Sequence, residues 1–90
     1  MKIQKAAKAG TVESNDILVM VAPNPNGGIQ IKVESIVLKQ FGEAIKKAIM
    51  DKLQELEVEE GLIIAQDKGA LDYTIKSRVE TAVKRSLIEV

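Results

Sequence analysis

Six residues constrain this chain more than any others: Pro23-Asn24-Pro25-Asn26-Gly27-Gly28. Proline fixes φ and removes a donor, while asparagine and glycine tolerate left-handed backbone, so neither helix nor strand continues through this segment. On its N-terminal side stands Ile17-Leu18-Val19-Met20-Val21-Ala22, an unbroken apolar run of strand length. On its C-terminal side Ile29, Ile31 and Val33 alternate with Gln30, Lys32 and Glu34, the period of two that marks a strand with one solvated face. The two runs read as a β-hairpin over 17–22 and 29–34. A further short β-compatible stretch, Thr11 to Ser14, precedes them.

Beyond residue 35 the period changes. Leu38, Phe41, Ile45, Ala48, Ile49, Leu53 and Leu56 recur at helical spacing between Ile36 and Glu57, with Ser35 as the expected N-cap. Phe41 is expected to plug the core, and Glu43 to pair with Lys47 one turn later. Gly42 weakens the first turns by about 1 kcal/mol relative to alanine, less than the sustained periodicity returns. Gly61 ends this stretch, Leu62-Ile63-Ile64-Ala65 reads as a buried strand, and Asp67-Lys68-Gly69 as a turn. Leu71, Ile75, Val79, Ala82, Val83 and Leu87 define a second amphipathic helix, with Lys76, Arg78, Glu80, Lys84 and Arg85 mostly outward. The element order is β-β-β-α-β-α. It predicts an α+β fold: a small two-layer sandwich, with a mainly antiparallel sheet of about four strands and two helices on one face.

Composition removes several classes of function. The 90 residues suit one domain, and with one Phe, one Tyr and no Trp its core must be aliphatic. Thirteen basic residues balance thirteen acidic ones, so neither an electrostatic footprint nor a stacking platform for nucleic acid is present. No apolar run approaches the ~20 residues that span a bilayer. Met1-Lys2-Ile3-Gln4-Lys5 is not followed by the apolar stretch of a secretory signal, which points to a cytoplasmic setting. There is no Cys and no His, hence no thiol nucleophile, no imidazole base and none of the usual soft metal ligands.

The remaining candidates are few. Glu13 and Asp16 form a carboxylate pair, but acid–base work needs one member raised in pKa in a shielded pocket, and both fall among polar turn residues. Glu57, Glu59 and Glu60 lack the oxygen-ligand loop pattern of a calcium site and read as a solvated helix end. Gly27-Gly28 leads into a strand, not a helix, and so lacks the context of a phosphate cradle. Ser14 has no activating base nearby, so local chemistry offers two readings. It is a turn serine, or it is a hydroxyl that another enzyme modifies.

Three segments favour the second reading. Gly10-Thr11-Val12-Glu13-Ser14-Asn15-Asp16, Lys39-Gln40-Phe41-Gly42 and Asp67-Lys68-Gly69-Ala70-Leu71-Asp72 occur in the order and spacing of the acyl carrier (gamma) subunit of citrate lyase. The chain resembles that family over nearly its full length. The family carries Gly-Thr-(Leu/Val)-Glu-Ser-Gly-Asp around its modified serine, and this chain has Asn15 where glycine is common. Asparagine tolerates left-handed geometry better than most residues, so the turn can survive the exchange.

The resemblance implies a single acyl carrier domain over residues 1–90 that performs no catalysis itself. Ser14 would hold 2'-(5''-phosphoribosyl)-3'-dephospho-CoA through a phosphodiester, placed there by a prosthetic-group-attaching transferase. The terminal thiol of that cofactor would carry acetyl and then citryl thioesters between the alpha (acyltransferase) and beta (lyase) subunits of citrate lyase. A chain without cysteine must import such a thiol. Phe41, Gly42, Lys68, Gly69 and Asp72 match family segments and are read as structural, with Asp67 or Asp72 capping the second helix. The carrier subunit of malonate decarboxylase is the nearest alternative, since it uses the same cofactor. An unmodified α+β interaction module is the other.

Overall fold

The structure is a computed structural model that describes residues 1–87. The elements run β1 (Ala7–Gly10), β2 (Ile17–Ala22), β3 (Ile29–Ser35), α1 (Leu38–Glu55), β4 (Gly61–Asp67) and α2 (Asp72–Ser86). The predicted β-β-β-α-β-α order and the α+β class are therefore those of the molecule. The four strands form one mixed sheet in the order β1-β2-β4-β3. Two of its three pairings are antiparallel, β1 with β2 and β2 with β4, and β3 lies parallel to β4.

That order corrects the expected hairpin. β2 and β3 do run in opposite directions, but β4 is inserted between them, with Val21 opposite Ile63 and Ile63 opposite Ile31. The reason lies in composition. β2 and β4 are both continuously apolar and gain most from central positions, whereas β3, with Gln30, Lys32 and Glu34 along one face, suits an edge. Six turn residues reach easily across two strand spacings, roughly 10 Å. The first strand also sits earlier than expected. β1 covers Ala7–Gly10, and Thr11 to Ser14 lies in the loop that follows.

Alternation then builds one core. Ile17, Val19 and Val21 of β2, Ala9 of β1, and Ile63 and Ala65 of β4 are buried on the same face. Ile45, Ala48, Ile49 and Leu53 of α1 and Ile75, Val79, Ala82 and Val83 of α2 complete that core from the helix layer. Both helices thus cover one face of the sheet, as their apolar spacing predicts.

The helix ends depart from expectation. Ser35 is not the N-cap of α1; that place falls to Val37, which gives no side-chain bond. The Ser35 hydroxyl instead accepts the Val37 N–H (3.1 Å) and donates to Asp67 (2.9 Å). Phe41 is not a core plug but is 52% exposed: it lies on the stripe of Ile45, Ala48 and Ile49, but in the first turn of α1, where the helix reaches beyond the core. Leu71 and Leu87, placed on the apolar face of α2 by spacing, flank the helix and are exposed. Lys47 pairs with Asp51 (2.8 Å), not Glu43, again at i,i+4.

Candidate functional site

The loop from Thr11 to Asp16 closes β1 onto β2 at the end of the sheet where β3 and β4 finish and both helices start. Glycine is required at its entrance. Gly10 has φ 92°, and a Cβ there would stand 1.9 Å from the carbonyl oxygen of Ile17. Within the loop Asp16 donates its backbone N–H to the Glu13 carbonyl (3.1 Å), so Glu13-Ser14-Asn15-Asp16 is a β-turn. Asn15, at its third position, has φ 66°, the left-handed conformation that a type II turn demands there. This accounts for an Asn/Gly position, since few other residues enter that region cheaply. Ser14 takes the second position, at the tip. It is exposed, and no described residue hydrogen-bonds its hydroxyl.

The turn is braced from three directions. Asn15 donates its N–H to the Lys68 carbonyl (2.8 Å), and Lys68 returns its own N–H to the Asp16 carbonyl (2.9 Å). The Asp16 carboxylate receives Arg78 of α2 bidentately, Nε on Oδ1 and Nη2 on Oδ2, both at 3.0 Å. The Thr11 hydroxyl (2.8 Å) and the Ile17 N–H (2.7 Å) donate to the same carboxylate. Together these donors, Arg78 foremost, hold the Asp16 carboxyl down at about 2 against its ordinary 3.8, with burial opposing. A general acid needs the opposite shift. Asp16 is therefore a fixed structural anion, and the Glu13/Asp16 pair is not an acid–base couple.

Lys68 is itself held by Asp67, whose buried carboxylate accepts the Ser35 hydroxyl (2.9 Å) and the N–H groups of Gly69 (3.1 Å) and Ala70 (3.0 Å). Asp67 thus organises the connection into α2 and does not cap the helix, whose N-cap is Leu71. Asp72 sits in the first turn and pairs with Lys76 at 3.2 Å. The three segments singled out in the sequence converge here: two form the doubly bonded loop pair, and the third is the first turn of α1, carrying Phe41.

Other candidates lie elsewhere. Glu59 pairs with the Met1 ammonium (2.9 Å) and Glu60 with Lys2 (3.9 Å), and no group of acidic residues among the described residues could hold a metal ion. No helix among the described residues is long and apolar enough to cross a membrane. Sequence reasoning missed Arg78, taken as outward-facing. Its spacing on α2 is that of a solvent-facing cation, and only the folded chain brings it 62 positions back to Asp16.

The turn is tight and braced, and it presents an exposed serine hydroxyl that no described residue bonds. Comparison with known proteins places the chain in a family. The family model described as ACP, malonate decarboxylase delta subunit (MdcD), matches residues 4–86. The citrate lyase acyl carrier protein of Pectobacterium atrosepticum is 52% identical over 86 residues, 96% of this chain and 88% of that protein. The one from Halothermothrix orenii is 48% identical, over 96% and 90% of the two chains. The chain belongs to this acyl carrier family, with the citrate lyase acyl carrier proteins among its relatives. Among solved structures, a Pseudomonas malonate decarboxylase hetero-tetramer in complex with malonate contains a chain that matches at TM-score 0.74 and 21% identity, covering 96% of this chain and 88% of that one. The Staphylococcus aureus RNase P protein matches at TM-score 0.55 and 13% identity, over 90% and 83% of the chains. Both likenesses concern the fold.

Proposed function

We propose that this chain is the acyl carrier subunit of a cytoplasmic citrate lyase and that Ser14 Oγ is the anchor of its prosthetic group. One observation carries the assignment to Ser14: an exposed, unbonded hydroxyl stands at the tip of a turn that Lys68 and Arg78 lock from outside. Citrate lyase is favoured by the 52% identity to a citrate lyase acyl carrier protein.

The residues fit a phosphodiester-linked 2'-(5''-phosphoribosyl)-3'-dephospho-CoA. Ser14 lacks steric cover, and no unpaired carboxylate is needed to hold the turn, because Asp16 is already neutralised by Arg78. That group supplies the thiol that a cysteine-free chain lacks, and with it the acetyl and citryl thioesters. The chain's own work is to hold the anchor rigidly, so that the attaching transferase meets a defined backbone. It also serves as a compact handle for the alpha and beta subunits. A flexible tether on a rigid handle raises the local concentration of its thioester at each partner site.

The decisive experiment is intact-mass analysis of the protein from its native host, followed by peptide mapping. The expected result is a single adduct on Ser14, absent in Ser14→Ala, with that variant folded and its lyase complex inactive. A bare native chain in a working complex, or an adduct elsewhere, overturns the assignment. A malonate decarboxylase role, favoured by the family description and the structural neighbour, predicts malonyl loading in place of citryl.

A further inference from the structure

The end of the molecule that bears Ser14 is also its apolar end. Of seven large hydrophobic residues exposed among the described residues, five lie in its loops and first helical turns: Val12, Ile36, Phe41, Leu71 and Tyr73. Two of these, Val12 and Leu71, belong to the two connections that bond to each other around the Ser14 turn.

Between the first turns of α1 and α2 this apolar end opens into a groove of about 420 Å³. Its walls are Phe41, Ala44 and Ile45 on one side and Leu71 and Ile75 on the other, with Gly69 and Ala70 on the rim and the aspartates Asp67 and Asp72 at its α2 end. The size falls in the range of small-ligand sites, roughly 300–1,000 Å³, and the lining is of the same apolar type. The rim touches the carrier turn directly. The Asn15 side-chain oxygen lies 3.8 Å from where a Cβ would stand on Gly69, and Asn15 is the neighbour of Ser14.

We infer that this groove is a resting site for the arm's own acyl end, holding the pantetheine–acetyl-thioester portion tethered at Ser14. The inference rests on the Ser14 reading and adds to it a position for the arm between deliveries. The end of such an arm is a slender, uncharged chain closing in a small acetyl thioester, which suits the apolar walls. The two carboxylates that also line the groove are already engaged, Asp67 by Ser35, Gly69 and Ala70 and Asp72 by Lys76, and they add repulsion against an anionic end. A citryl group, with its carboxylates, is disfavoured in the same groove because burying unpaired charge is costly. The groove therefore discriminates between loaded states: the acetyl form rests, and the citryl form is released to solvent. Low intrinsic affinity suffices, because a short tether supplies an effective concentration of order 1–10 mM. With a dissociation constant of about 1 mM, the groove is occupied half to nine-tenths of the time, which slows hydrolysis of the shielded thioester about twofold to tenfold.

The absence of cysteine provides a test independent of native loading. In the full chain, Ser14→Cys creates a single thiol, which an iodoacetamide derivative of S-acetylpantetheine alkylates with loss of iodide. Methyl NMR of the product, against the same variant capped with iodoacetamide alone, is expected to show shifts at Ala44, Ile45, Ala70 and Ile75. The thioester is expected to hydrolyse about twofold to tenfold more slowly than on the same chain carrying Ala44→Trp, which blocks the groove from an exposed helix position, or Leu71→Ser, which opens its wall. Shifts confined to residues 12–17, or equal hydrolysis rates in parent and variants, overturn the inference. Both outcomes leave the native-mass experiment on Ser14 unaffected, so the two readings fail separately.

Discussion

Arg78 of α2 reaches back to clasp Asp16 with two parallel hydrogen bonds of 3.0 Å, tying the helix layer to the loop that presents Ser14. The planar guanidinium matches the carboxylate edge to edge, which a lysine cannot do. The pair thus fixes the direction of the loop as well as its position.

Removing the guanidinium releases Asp16. In Arg78→Met, whose aliphatic stem can still pack beside Gly10, the Asp16 carboxyl is expected to titrate well above about 2 and towards 3.8, as carboxylate NMR would record. A lowered folded-state pKa contributes stability that is fully present above the unfolded value and lost as pH falls through the folded one. The parent should therefore exceed the variant by about 1–3 kcal/mol in urea melts at neutral pH. That gap should close between 3.8 and about 2. A gap that persists undiminished at the acid end would show that the pair is not its source.

Gly10→Ala is expected to be the most damaging single-methyl change near the loop. The new Cβ would meet the Ile17 carbonyl at 1.9 Å, in a backbone conformation that alanine avoids. Loss of about 2–3 kcal/mol in denaturant melts is anticipated, with strand pairing at the loop disturbed. A loss below half that figure would mean that β1 and β2 separate more easily than their register indicates.

Asn15 separates turn geometry from side-chain chemistry. Asn15→Gly should stay within about 0.5 kcal/mol of the parent, while Asn15→Val, forced into φ 66°, should lose about 1–2 kcal/mol. In the native host, the valine variant should also receive less of the Ser14 adduct, read by intact mass.

Glu57 offers a gain. It has φ 60° just beyond α1, where Val58 donates its N–H to the Leu53 carbonyl (2.9 Å) and Glu57 to that of Gln54 (3.0 Å). These are the bonds of a left-handed helix terminus, usually glycine. Glu57→Gly is expected to raise the midpoint of thermal unfolding, corresponding to about 0.5–1 kcal/mol.

The elements were legible where one period dominated. β2, β4 and the middles of both helices follow from residues such as Val19, Ile63, Ile49 and Val79, whose spacing alone decides which face is buried. Pairing was less legible, because the Pro23–Gly28 turn shows that the chain reverses but not which strand lies beside it. β4 takes the place next to β2 for a reason visible only when all four strands compete for the centre. Helix ends misled in the same way. Phe41, Leu71 and Leu87 fit a period near its limits, where capping and connection geometry replace periodicity. Of the candidate site, the Ser14 turn could be read locally, but its braces could not. Lys68 and Arg78 act over more than 50 positions, one through its backbone and the other through a side chain that spacing alone would send to solvent.

The placement of β4 between two earlier strands carries a temporal consequence. A nascent chain emerging from the ribosome holds β1, β2, β3 and α1 before the strand that joins the two halves has been made, and the residues that brace the Ser14 turn come later still. An enzyme that recognises the shape of that turn is therefore blind to partly synthesised or truncated copies. Only a chain that has reached Arg78 and folded holds the turn by all of its braces.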